Sequence, residues 1–183
     1  NMVVGRYVDA IERERHVPLG PRYLVSALER AGLDGDFRDY QTNDFEEPMF
    51  PRHLARFCDD PAPVIGLSCM ANLLPFTILA AREIKQSHPD RTIVLGGVGP
   101  FSVEEKILDR FPWIDVVTHG EGERAAVDLV RALVGGGDLD SVPGVVYRDG
   151  GAIRRTEPAA RIDDLDAIAP PAFDRIDFSR YAG

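Results

Sequence analysis

Three short apolar runs constrain this chain more than any other feature of its sequence. They cover residues 64–70, 92–99 and 114–123, and each starts with β-branched or aliphatic residues and ends in small ones. A stretch with helical character follows each run. Such runs are typical of parallel strands that are covered on both faces. Parallel strands end at one edge of a sheet, so the small residues should meet at the carboxyl edge, where open α/β folds bind their ligands.

Strand and helix patterns alternate along the chain as far as residue 137. The patterns predict strands at 2–8, 37–41, 64–68, 92–95 and 114–118, and helices at 21–31, 52–58, 75–87, 103–111 and 122–134. This alternation predicts an α/β fold, a doubly wound, Rossmann-like parallel sheet of five strands with helices on both faces. We expect the flavodoxin-like strand order 2-1-3-4-5.

The pattern changes after residue 137. Residues 144–148 and 152–156 flank the turn Asp149-Gly150-Gly151, which predicts a β-hairpin. The remainder, to Gly183, is rich in proline and aspartate without periodicity and is typical of a linker. We therefore divide the chain into a Rossmann-like domain, residues 2–137, and a hairpin with a linker strap, residues 138–183.

Composition excludes several classes of function. The net charge of −9 and the scattered basic residues argue against nucleic-acid binding. No apolar run approaches the ~20 residues that span a bilayer, and no signal peptide is present, so we expect no membrane partner. Two cysteines, Cys58 and Cys69, make neither a disulfide framework nor a multi-cysteine metal site, which favours a cytoplasmic location.

Several segments occur together in an order and spacing that point to one family. They are PLGPRYL at 18–24, IGLS at 65–68, VLGG at 94–97, DVV at 115–117 with GEGE at 120–123, and the stretch 139–147, followed by a strap at 162–171. Together they cover nearly the whole chain. They resemble the cobalamin-binding domain at the amino end of cobalamin-dependent radical S-adenosylmethionine enzymes, many of which are methyltransferases.

The resemblance implies that cobalamin lies over the carboxyl edge, with its nucleotide tail running down into the sheet. The residues agree with this, because glycines leave the backbone accessible and Ser68 offers a hydroxyl. The helix that begins after Gly120 favours a phosphate or a ribose at its amino end. The predicted cofactor-binding residues are His16, Leu19, Gly20, Ser68, Cys69, Met70, Leu73, Gly96, Gly97, Val98, Gly99, His119, Gly120, Glu121 and Gly122.

One departure from related cobalamin domains concerns the metal. Domains that ligate cobalt through histidine carry a DxHxxG motif, whereas residues 15–20 read RHVPLG. The aspartate is missing and the glycine lies one place too far along, so we expect cobalamin to bind without ligation by His16. We predict no metal ligand and no catalytic residue in this chain.

A second departure concerns catalysis. The radical enzymes hold an iron–sulfur cluster through CxxxCxxC, and this chain has no such motif. The resemblance therefore implies that the 4Fe–4S cluster and S-adenosylmethionine belong to a catalytic domain beyond Gly183. On this interpretation the chain is a binding module, and the whole protein is a radical methyltransferase or a related enzyme.

The alternative is a Rossmann-type nucleotide-binding oxidoreductase. Residues 97–102, GVGPFS, half resemble the GxGxxG fingerprint. They follow the fourth predicted strand instead of the first, and no strand about twenty residues later ends in an acidic residue. A signalling receiver domain needs a phosphorylatable aspartate at the end of a central strand, where this chain has Ser68 and Cys69.

Overall fold

The predicted alternation of strands and helices is present in the computed structural model, which describes residues 2–5, 17–43, 45–59, 61–164, 166, 168, 170–171 and 173–181. The strands are β1 (Met2–Gly5), β2 (Phe37–Asp39), β3 (Val64–Cys69), β4 (Thr92–Gly96), β5 (Val116–Thr118), β6 (Val145–Asp149) and β7 (Ala152–Arg155). The helices are α1 (Leu19–Arg30), α2 (Pro51–Phe57), α3 (Leu74–Ser87), α4 (Glu104–Arg110) and α5 (Gly122–Gly135). None of the helices in these ranges combines the length and apolarity that a membrane crossing requires.

All seven strands form one sheet in the order β2-β1-β3-β4-β5-β6-β7. The first five strands are parallel, which confirms the predicted order 2-1-3-4-5. The predicted hairpin is also present, but it is part of the sheet: β6 pairs antiparallel with β5, and β7 with β6. The sheet is therefore mixed and has seven strands instead of five. The apolar residues of β6 pair along β5, which would otherwise be an unprotected edge.

The two faces of the sheet are covered differently. Side chains alternate along β3, so that Ile65, Leu67 and Cys69 are buried, whereas Val64, Gly66 and Ser68 are only half-buried. The buried set packs in the main core beneath α2, α3 and α4, with Leu54, Ile84 and Leu108 among its members. A smaller core on the other face includes Val94, Val116 and Leu129 of α5.

The C-terminal strap is the segment after β7, described at residues 156–164, 166, 168, 170–171 and 173–181, and it contacts the rest of the domain at several points. Near its start, the backbone N–H of Gly144 donates to the Glu157 carbonyl. Further along, the backbone N–H of Ile162 donates to the Glu121 carboxylate. At its end Tyr181 bonds to Asp39, the last residue of β2. Because β2 and β7 are the two outer strands, the described contacts of the strap span the width of the sheet.

Candidate ligand-binding groove

A groove of about 430 Å³ lies between the sheet and the helices α1 and α5. Its floor is the face of β3 and β4 on which Gly66 pairs with Val94 and Ser68 pairs with Gly96. A glycine in the middle of a central strand leaves a depression in the sheet surface. The floor is therefore low under the two helices, and a flat group has room to lie on the backbone.

The walls of the groove are apolar and follow the helical period. Residues three to four apart on each helix line the groove, and α5 contributes two alanines. The wall residues are Leu24, Val25 and Leu28 on α1, and Ala125, Ala126 and Leu129 on α5. Near the carboxyl edge, a Cβ atom on Gly122 would lie 3.0 Å from Leu24 Cδ2, so the glycine lets the two helices approach closely there.

The mouth of the groove opens at the carboxyl edge and has an apolar rim. Val98 and Phe101, on the loop after β4, are 61% and 71% exposed. Leu19, at the start of α1, and Met70, after β3, are each about half exposed. Large apolar side chains that stay exposed around a cavity are typical of a binding surface.

The glycines at the end of β4 pack closely against residues at the ends of the neighbouring strands β3 and β5. A Cβ atom on Gly96 would lie 2.7 Å from Thr118 Oγ1, and one on Gly97 would lie 2.7 Å from the Cys69 carbonyl oxygen. One on Gly99 would lie 2.7 Å from Cys69 Sγ. Gly97 also has a φ of +83°, which disfavours residues with a side chain. These glycines therefore let the ends of β3 and β5 close in on β4, besides leaving the groove open.

The groove brings together about half of the residues predicted from the sequence. Those that line it are Gly20, Ser68, Gly96, Gly97, Val98, His119, Gly120 and Gly122. Leu19 and Met70 are exposed and do not line the groove, although Leu19 directly precedes the lining residue Gly20, and His16 lies outside the described residues.

Four other predicted residues lie elsewhere. Cys69 and Leu73 are buried in the main core on the opposite face of the sheet, 3% and 2% exposed. They point away from the groove because side chains alternate along a strand, and Ser68 already faces it. Gly99 packs against Cys69. The Glu121 carboxylate accepts a 2.7 Å hydrogen bond from the Ile162 backbone and so holds the strap.

His119 contributes a neutral ring to the mouth. Burial lowers the pKa of His119, and the nearby positive charge of Arg155 lowers it further. A hydrogen bond with the Thr156 backbone engages the ring, while its buried Nε2 has no hydrogen-bond partner among the described residues. A buried nitrogen without a partner is unusual and is consistent with a group that a ligand completes.

The charged residues beside His119 form ion pairs with one another: Arg155 pairs with Glu104 and with Glu105. Burial opposes the ionisation of Glu104, but hydrogen bonds from the Ser102 backbone and from Arg155 keep the pKa of Glu104 below its usual value. Arg155 also bonds Glu105, at 2.8 Å. These charges are therefore paired with one another.

The start of α4 argues against the dinucleotide-binding alternative. Its first turn contains Glu104 and Glu105, and negative charge there is unfavourable for a pyrophosphate. The helix also begins after the turn at 97–103, whereas in a dinucleotide-binding fold the helix follows the glycines directly.

Sequence reasoning missed Gly66, Thr118 and the helix walls. The alternation of side chains could have found Gly66, because it lies two residues before Ser68 and on the same face. Thr118 is the last residue of β5, and Ser68 is the last but one of β3. The reasoning that assigned Ser68 to the ligand from its position at a strand end therefore applies equally to Thr118. On α5, the adjacent small residues Ala125 and Ala126 could have predicted the wall, since small residues on a buried helix face leave space for a ligand.

Comparison with known proteins places these features in a family. The model of the B12 binding domain matches residues 11–130. The anaerobic magnesium-protoporphyrin IX monomethyl ester cyclase of Synechocystis sp. is 28% identical over 172 residues, which are 94% of this chain and 34% of that protein. The cobalamin-dependent radical SAM methyltransferase TokK of Streptomyces tokunonensis is 31% identical over 132 residues, which are 69% of this chain and 19% of that protein.

A solved structure shows the same fold. The radical S-adenosylmethionine methyltransferase TsrM from Kitasatospora setae matches with a TM-score of 0.69 and 18% identity, over 87% of this chain and 30% of that one. This chain thus spans about a third or less of the length of these similar proteins. The family model covers well over half of the chain, and the fold and groove agree with it. The chain belongs to the B12-binding domain family.

Proposed function

We propose that this domain binds cobalamin with the nucleotide tail in the groove between α1 and α5 and the corrin ring over the apolar rim. The observation that carries the proposal is the shape of the groove. It opens among Ser68, Gly97 and Gly120 at the carboxyl edge and continues under the helices to Ala62 and Pro63, which precede β3 at the opposite edge. A narrow tail attached to a broad ring matches a deep groove with a wide apolar mouth.

The residues present fit the two halves of such a ligand. Gly66 and Val94 give a flat floor for the base, and the alanines of α5 leave it room. Phe101 and Val98 are placed to cover the ring from the side of β4, and the buried His119 Nε2 has no hydrogen-bond partner among the described residues. When bound, cobalamin supplies cobalt–carbon chemistry, and the protein binds it, orients it and shields it from water.

The test compares cobalamin with cobinamide, the corrinoid that lacks the nucleotide tail. Titration of the protein, followed by the visible spectrum of the bound corrinoid, should show tighter binding of cobalamin. Ala126→Phe places a ring in the groove from the wall of α5 and should remove the preference for cobalamin. Asp128→Phe is the matched control, because Asp128 is exposed on the same helix and outside the groove.

Two results would overturn this placement of the tail. One is equal affinity of the parent for cobalamin and cobinamide. The other is an Ala126→Phe variant that keeps the preference for cobalamin while its thermal unfolding shows an intact fold.

We also propose that the domain serves a radical S-adenosylmethionine catalytic domain of the same polypeptide, with methyl transfer as the favoured reaction. The support is the similarity to TokK and TsrM, which are named radical S-adenosylmethionine methyltransferases and are about three times longer than this chain or more. The test is the complete polypeptide: it should contain a CxxxCxxC motif after residue 183 and, when purified without oxygen, stoichiometric iron and sulfide. A complete polypeptide without bound iron would contradict the proposal.

A further inference from the structure

Thr118 ends β5 and lines the groove from the strand next to β4. Its hydroxyl oxygen lies over Gly96, 2.7 Å from the place where a Cβ atom would stand. Val116, two residues earlier, packs in the core beneath α5, so Thr118 is on the groove face of the sheet. No other described residue accepts or donates a hydrogen bond at this hydroxyl, although Thr118 is only partly exposed.

Ser68 repeats this arrangement on the other side of β4. Its Oγ atom lies 2.8 Å from the place where a Cβ atom on Gly97 would stand, and it too has no hydrogen-bond partner among the described residues. The two hydroxyls therefore flank the glycine pair at the end of β4, one from β3 and one from β5. A polar group that enters the groove over Gly96 and Gly97 passes between them.

We propose that Thr118 is a binding residue for the nucleotide tail and that, together with Ser68, it holds the ribose–phosphate part of the tail. This inference rests on the proposed function. The position of the two hydroxyls in the groove indicates which part of the ligand they contact. Both lie at the strand ends, where the tail would leave the corrin ring. The apolar floor and walls deeper in the groove suit the base, whereas ribose and phosphate oxygens need hydrogen-bond partners.

The experiment measures dissociation constants for cobalamin and cobinamide with the purified domain. Thr118→Val keeps the shape of the side chain and removes the hydroxyl. We expect it to weaken cobalamin binding about three- to tenfold, the range of one net hydrogen bond, and to leave cobinamide binding unchanged. Thr118→Ser should restore most of the affinity for cobalamin. Thr92→Val is the matched control, because Thr92 is half-buried at the opposite end of β4 and outside the groove.

A double variant tests whether the two hydroxyls hold the same part of the ligand. If they do, the losses from Ser68→Ala and Thr118→Val should not add, because residues that share a partner are coupled. The inference is overturned if Thr118→Val leaves cobalamin affinity at the parental value, if it weakens cobalamin and cobinamide equally, or if the two losses add fully. If the unmutated protein binds cobalamin and cobinamide with equal affinity, the proposed position of the tail in the groove is wrong. That measurement needs no Thr118 variant, so it distinguishes failure of the proposed function from failure of this inference.

Discussion

The hydroxyl of Tyr181 donates a 2.7 Å hydrogen bond to Oδ2 of Asp39, and this joins the end of the strap to the end of β2. Arg22, in the first turn of α1, also bonds the Tyr181 hydroxyl. Closer to its start, the strap is held at Ile162 by Glu121, which lies directly before α5. The strap is therefore attached beside both helices that form the walls of the groove.

Tyr181→Phe should loosen this attachment. The variant loses a hydrogen bond to a buried carboxylate, which costs about 1.5–3 kcal/mol when the partner is charged. We expect faster limited proteolysis within the strap and a lower free energy of unfolding. Tyr147→Phe is the control, because the Tyr147 hydroxyl also donates to an aspartate, the exposed Asp140, which is outside the strap. Equal proteolysis of the strap in both variants would contradict the attachment.

Asp39 gives the protein a specific dependence on pH. Burial raises the pKa of Asp39 above the ordinary value of 3.8, although hydrogen bonds from Tyr181 and Gln41 oppose the rise. Above pH 3.8 the folded state therefore binds more protons at this site than the unfolded chain, so the contribution of Asp39 to stability falls as the pH rises through its raised pKa.

Asp39→Asn removes this titration. We expect the stability of the variant relative to the parent to increase as the pH rises from 3.8 and to level off above the folded-state pKa. Urea unfolding of both proteins across this range measures the difference, and the other carboxylates cancel because both proteins contain them. A difference that is independent of pH would show that Asp39 titrates normally in the folded state.

The sequence predicted the elements of the fold well because the local signals were strong. The apolar run at 64–68 became β3, with one more residue, and the run at 92–95 became β4. The helix predicted at 122–134 runs over Gly122–Gly135. The pairing of β6 with β5 was not predicted, since it depends on contacts between segments about thirty residues apart, which periodicity does not reveal.

The candidate groove contains about half of the residues predicted from the sequence, and others lie elsewhere for two physical reasons. Residues near the end of a strand were grouped by their position in the chain, so Cys69 was placed with Ser68 although neighbouring side chains point to opposite faces. Glu121 was assigned to the ligand because it precedes a helix, whereas its carboxylate bonds a backbone N–H 41 residues away. Only the three-dimensional path of the strap reveals that partner.

The two thiols should be inert in the folded protein. Burial raises the pKa of Cys58 to about 12 and that of Cys69 to about 11, so almost no reactive thiolate is present near pH 8. We expect slow reaction with an aromatic disulfide reagent in buffer and rapid reaction of both thiols in denaturant. The Cys58→Ser variant isolates Cys69. A fast reaction of Cys69 in this folded variant would place it at the mouth of the groove instead of in the core.

Gly97→Ala should destabilise the domain whether or not a corrinoid is present. The new Cβ atom would lie 2.7 Å from the Cys69 carbonyl oxygen, a backbone atom that cannot rotate away, and φ is +83°. A side chain at such a positive φ costs about 1–2 kcal/mol before the clash is included. Urea unfolding of the corrinoid-free protein measures the loss. Parental stability would contradict the close approach of β3 to β4.

Gly96→Ala should behave differently, because its new Cβ atom meets the end of a side chain, Thr118 Oγ1. Thr118 can take another rotamer, so we expect the fold to survive. The hydroxyl then leaves its place in the groove, and cobalamin binding should weaken while cobinamide binding does not. In a Thr118→Ala background no atom remains to be displaced, and Gly96→Ala should cause no further loss. If Gly96→Ala weakens cobalamin binding equally in both backgrounds, the added methyl group contacts the ligand directly. Gly96 would then be required to make room for the tail, and not to keep the Thr118 hydroxyl in place.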